Sequence, residues 1–103
     1  MKNWSILVLA SLSLSTMVRA ESDFDAGKRL AAVCMGCHGA DGTSLNDEWP
    51  NLARQKKDYL AKQLRALRSG ERKHPLMKPI ADNLNDGEIA ALTVFFSTLK
   101  KEP

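Results

Sequence analysis

The sequence is poor in the features that organise most small domains. Alternating β-branched runs are almost absent and no Asn-Gly hairpin turn occurs, so little of the chain can form a sheet. There are no internal repeats and no low-complexity tracts, which excludes a solenoid or a long flexible tail. Only two cysteines and two histidines occur in 103 residues. A four-ligand zinc site would need all four of them: Cys34, Cys37, His38 and His74. No apolar run approaches the ~20 residues of a membrane span. The longest, Trp4–Val18, has 15 residues, is diluted by serines and ends at Arg19.

That run has another use. Met1-Lys2-Asn3 before it is a basic start, and Val18-Arg19-Ala20 after it ends on a small residue. The pattern is that of a secretory leader cleaved after Ala20. Residues 1–20 are therefore expected to be a signal peptide, and 21–103 a single domain exported to the periplasm. The remaining chain has 83 residues (103 − 20), with 13 basic and 12 acidic side chains once Lys2 and Arg19 are gone. The net charge drops from +3 to +1, so charge gives no reason to expect a nucleic-acid partner. The basic residues are uneven, however. Nine lie between Arg54 and Lys78, against Asp58 and Glu71. Such a run is either a solvated helix face or a docking surface for an acidic partner.

Three helices are expected. The first runs from Asp23 or Phe24 to Met35, with Asp23 as N-cap and Gly36 at its C-terminal end. The second covers about 57–69, with Leu60, Leu64 and Leu67 on one face and Gly70 closing it. The third starts at Asn85, with Glu88 completing a capping box. Its apolar stripe is Ile89, Leu92, Phe96 and Leu99, with Phe95 beside it, and Lys100 and Lys101 complement its C-terminal dipole. Stretches 38–56 and 70–84 are expected to be irregular. A domain this small usually needs a staple beyond its own core, and loops this long are expected to wrap something.

Residues 34–38 name the staple. Cys34-Met35-Gly36-Cys37-His38 is the Cys-x-x-Cys-His pattern of covalent c-type haem attachment. Two thiols one helical turn apart add to the two vinyl groups of adjacent pyrroles. The histidine after the second cysteine becomes the proximal iron ligand. A thiol–disulfide exchanger would place the motif after a strand, and none is expected here. A structural disulfide across two residues would make a tight loop. On the far side of the iron, two residues of the segment "HPLMKPIA" are chemically sound ligands: Met77, in a loop held by Pro75 and Pro79, and His74. Met35 is tethered between the cysteines and cannot swing over.

The segments "AGKRLAAVCMGCHGADG", "WPNLARQ", "YLAKQLRALRSGER", Met77 with "IADNL", and "EIAALTVFFSTLK" together resemble the class I c-type cytochromes. The likeness extends over 24–100, and is strongest to single domains of the dihaem bacterial members. It implies Met77 as the sixth ligand. It also implies that the Pro50 carbonyl receives the His38 imidazole hydrogen bond, and that Leu52 lies against the haem. Gly27 and Phe95 stand where the first and last helices would cross. Two positions depart from the pattern. Arg54 stands where relatives often have Gly in "NLAGQ", either to pair with a propionate or to face water. Phe95 replaces a common tyrosine.

The expected fold is all-α, with three principal helices around one covalent haem c. The metal ligands are His38 and Met77. The cofactor is held by Cys34 and Cys37, with Pro50 and Leu52 against it. The expected function is one-electron transfer with redox protein partners, without enzymatic activity and without stable membrane insertion of the mature chain. Alternatives are a haem-bearing subunit of a flavin or quinone dehydrogenase, and a sensor or peroxidase-like protein whose sixth ligand leaves.

Overall fold

The structure is a computed structural model, and it describes residues 2–16 and 19–99. Val18 of the expected leader, and Lys100 and Lys101 of the expected helix end, lie outside the described residues. Among the described residues all regular structure is helical: α1 Asp23–Leu30, α2 Ala32–His38, α3 Lys57–Ser69, α4 Lys78–Asp82 and α5 Asp86–Thr98. Residues 2–16 and 19–22 form no helix or strand. The apolar side chains there stand free of the fold, with Trp4 87% and Leu9 90% exposed.

The first expected helix is found as two. Ser22, not Asp23, is the N-cap, and its hydroxyl accepts from the Asp25 N–H at 3.2 Å. Asp23 and Asp25 instead sit in the first turn, where carboxylates suit the helix dipole. The chain turns at the fully buried Ala31 and continues as α2 past Gly36. Gly36 is therefore interior, and the C-cap is Gly39 at φ 90°. The other two principal helices match expectation. α3 is closed by Gly70 in the left-handed region at φ 85°. α5 has the full capping box, with Asn85 accepting from the Glu88 N–H at 2.8 Å and Glu88 from the Asn85 N–H at 3.1 Å. The departure is α4, a helix inside the stretch expected to be irregular. Pro79 lies in its first turn, where no intrahelical N–H is needed, so a residue expected to hold a loop stands at a helix start instead.

α1 packs on α5, α5 on α3, and α3 on α4. The α1–α5 crossing is closest at Gly27. A Cβ there would lie 2.7 Å from the Phe95 Cβ and would strike the Ala91 carbonyl, so only glycine lets these two backbones meet. Phe95 fills the crossing, with its ring 5.3 Å from Phe24 and 5.2 Å from Phe96. Ala31, Leu60, Leu92, Phe95 and Phe96 form the buried cluster. α2 has no close helix partner except α1, and its other side faces a cleft.

Candidate haem site

The cleft has a volume of about 340 Å³ and is bounded by α2, α3, α4, α5 and the loop before α3. Cys34, Cys37, His38, Pro50, Leu52, His74 and Met77 all border it. Every residue expected at the site is thus brought to one space. That volume lies within the ordinary range for a small-molecule or cofactor pocket.

α2 supplies three groups within five positions. Cys34 and Cys37 stand at i and i+3, one turn apart, and are not joined to each other. Burial, and then the neighbouring Cys37, push the Cys34 thiol above its usual pKa. His38 ends the helix and is buried. Its ring Nδ1 lies 2.8 Å from the Pro50 carbonyl oxygen. A carbonyl only accepts, so Nδ1 carries the hydrogen and Nε2 keeps a free lone pair.

The loop 39–56 positions that carbonyl. The Gly42 oxygen accepts from the N–H groups of Leu52 at 2.8 Å and Ala53 at 2.9 Å, closing the loop on itself just beyond Pro50. The loop then docks on α5, where the Arg54 N–H donates to the Phe96 carbonyl at 2.8 Å. Arg54 is the one non-glycine residue with positive φ, 61°, among the described residues. That backbone accounts for the glycine at this place in "NLAGQ". Its side chain is exposed and does not border the cleft.

The stretch between α3 and α4 carries the two residues that the sequence reading expects as candidate ligands on the far side of the iron. His74 and Met77 are half-buried. The Met77 N–H donates to His74 Nδ1 at 3.2 Å, so in the neutral ring the hydrogen is on Nε2 and His74 has no lone pair left to offer. In neutral rings the two bonds fit opposite tautomers, with the lone pair left at Nε2 in His38 and engaged at Nδ1 in His74.

Sequence reasoning missed Ile80 and Leu84, which also line the cleft. With Met77 they fall at i, i+3 and i+7, a helical stripe that the prolines obscured. Thr93 was missed too. It is buried at the cleft wall, and its hydroxyl is spent on the Ala90 carbonyl at 2.8 Å.

The rival chemistries fit less well. Among the described residues no group of three or more His, Cys, Asp or Glu side chains is placed to hold a metal ion. Among the described residues no strand precedes the cysteines, as a disulfide exchanger would require. Two unjoined thiols, a free imidazole lone pair and a thioether around an apolar cleft fit a flat, covalently held haem.

Residues 24–100 match the family model described as Cytochrome c. The chain is 37% identical over 95 residues to a cytochrome c4 of Pseudomonas aeruginosa, covering 92% of this chain and 47% of that one. It is 36% identical over 107 residues to a thiosulfate dehydrogenase electron acceptor of Stutzerimonas stutzeri, covering 98% of this chain and 48% of that one. The crystal structure of reduced recombinant cytochrome c4 from Pseudomonas stutzeri superposes with a TM-score of 0.72 at 35% identity. It covers 78% of this chain and 47% of that chain. The chain therefore spans about half the length of these relatives.

Proposed function

Because the chain belongs to the cytochrome c family, we propose that it holds one haem c and passes single electrons between protein partners in the periplasm. The observation that carries the reading is the meeting of Cys34, Cys37, His38 and Met77 around one cleft. The group they would hold supplies a one-electron iron couple.

The chain's own residues divide the remaining tasks. Cys34 and Cys37 fix the group through thioether bonds. His38 offers Nε2, while the Pro50 carbonyl on Nδ1–H sets the ring's rotation and strengthens its donation. Met77, which borders the same cleft, would offer its sulfur as the sixth ligand, which favours the reduced state. Leu52, Leu60, Leu92 and Phe96 exclude water from the cleft, favouring it further. With both His38 and Met77 committed as ligands, no position remains for a substrate, so the chain is a carrier rather than an enzyme.

Residues 1–20 are read as the export leader, because the large apolar side chains described there, from Trp4 to Leu14, are exposed and find no partner in the fold. No described helix is long and apolar enough to cross a membrane, which supports a mature chain that stays out of the bilayer. Its partners are redox proteins. The likeness to an electron acceptor of a dehydrogenase favours a second, related reading, in which this chain is the haem-bearing partner of a dehydrogenase.

Mass spectrometry of the purified protein tests the central reading. The expected mass is residues 21–103 plus one haem, with pigment that acidified acetone does not extract. A colourless protein with a Cys34–Cys37 disulfide would overturn it. Size exclusion of the native protein separates a free carrier from a bound subunit.

A further inference from the structure

The turn that carries Met77 is built as a capped helix start, and the cap is a histidine. The Met77 N–H donates to His74 Nδ1 at 3.2 Å, and the Lys78 N–H donates to the His74 carbonyl at 2.9 Å. Together these bonds close the turn 74–78 just before α4, where the His74 side chain accepts as a capping residue would, while Met77 is the N-cap position of α4 itself. Met77 itself has helical torsions, φ −82° and ψ −27°. Its carbonyl accepts from the Ala81 N–H at 2.9 Å, which carries the turn into α4. A second bond set holds the segment from the far side. Lys78 Nζ donates to the Arg68 carbonyl in the last turn of α3 at 2.9 Å, and to Asp82 Oδ1 at 2.8 Å.

Histidine is outside the usual N-cap set of Asn, Asp, Ser and Thr. Its Nδ1 nevertheless stands one bond beyond Cγ, as the Asn Oδ1 does, and serves as the same acceptor. That use engages the Nδ1 lone pair, so ligation by His74 would first have to break this bond.

We propose that His74 is a positioning residue for Met77, fixing the backbone from which the thioether reaches into the cleft. The proposal rests on the reading of Met77 as sixth ligand. Without the cap, the turn loosens and the sulfur leaves the iron more often. An N-cap contributes about a fivefold shift in such an equilibrium, the equivalent of about 1 kcal/mol.

The test uses the mature holoprotein as wild type, His74→Ala, His74→Asn and Met77→Ala. Two quantities are read: the near-infrared sulfur-to-iron absorption of the oxidised form on heating, and carbon monoxide binding by the reduced form. His74→Ala should raise the carbon monoxide-accessible fraction about fivefold. It should also lower the temperature at which the band disappears, leaving helical circular dichroism and covalent haem unchanged. His74→Asn should restore both. If Met77→Ala leaves the band in place, the ligand reading fails and the proposal with it. If Met77→Ala abolishes the band while His74→Ala matches wild type, or His74→Asn fails to rescue, the positioning role alone is overturned.

Discussion

The imidazole of His38 donates through Nδ1–H to the carbonyl oxygen of Pro50 at 2.8 Å. This bond ties the helix that carries both thiols to a loop with no regular structure. The loop can hold the acceptor in place because it closes on Gly42, whose carbonyl takes the Leu52 and Ala53 N–H groups.

Gly42 sits at φ 78°, and a Cβ there would lie 3.0 Å from that of Ala53. Gly42→Ala should therefore destabilise the holoprotein by about 1–2 kcal/mol. Because the Pro50 carbonyl loosens with the loop, His38 donates less strongly, which should also raise the reduction potential. Chemical denaturation and a redox titration measure the two effects.

Gly27→Ala should remove about 2 kcal/mol, since overpacking costs about 1–3 and the gain in helix propensity returns up to about 1. Neither the Ala91 backbone nor the Phe95 Cβ can swing away. Gly36→Ala is the control. It lies mid-helix with nothing within 4 Å of the added carbon, so it should gain up to about 1 kcal/mol. Equal effects at both sites in urea denaturation would refute the crossing argument.

Arg54→Gly should raise stability by about 0.5 kcal/mol. Relief of a left-handed non-glycine residue, about 1–2 kcal/mol, outweighs the entropy that glycine gains on unfolding, about 0.5–1. Arg54→Val should be destabilising, because a β-branched side chain tolerates this backbone worst. Both variants are compared by thermal melts.

Arg68 joins α3 to the start of α5. It donates to the Leu84 carbonyl at 3.0 Å and to Asp86 Oδ1 at 2.6 Å. Arg68→Ala should cost about 1 kcal/mol. Its hydrogen bond, and then its charge, hold the Asp86 carboxyl below the usual 3.8. A depressed native value stabilises above the unfolded pKa and is lost as pH falls through the folded one. Asp86→Asn should therefore lower the melting temperature at neutral pH and make no difference near pH 2. A deficit that persists in acid would mean the ion pair is not its source.

Cys34→Ala with Cys37→Ala should leave the chain largely unfolded. Without the group, Leu52, Leu60, Leu92 and Phe96 along the cleft would face water, and the whole stability of a small domain is only about 5–15 kcal/mol. Native-like circular dichroism with a cooperative melt in this double variant would show that the helices pack well without the group.

The parts legible in the sequence were those whose signal is local. α3 and α5 announce themselves through Gly70, Asn85 and Glu88, and the thiols and His38 lie within one helical turn. The break at Ala31 was not legible, because nothing marks an alanine as a turn until the core closes over it. Gly36 was read as a helix end by residue type, although Gly39 is the glycine that needs positive φ. α4 was hidden by Pro75 just before it and by Pro79 in its first turn, where a helix start accepts a proline. The backbone of Arg54 belongs to neither class: only the likeness to a Gly-containing segment pointed to it, and the reason is tertiary.

The crossing of α1 on α5 also sets an order of assembly. Gly27 meets Ala91, 64 positions away along the chain, so the loop that must close is long and its contacts form late. The thiols and His38 need no such closure, since one turn of α2 assembles them. Met77 lies 39 positions beyond His38 and reaches the same cleft only when α3, α4 and α5 have gathered. On the proposed reading, holding the group through the cysteines would be a local event open to an unfolded chain, and Met77 would join it only once folding is complete.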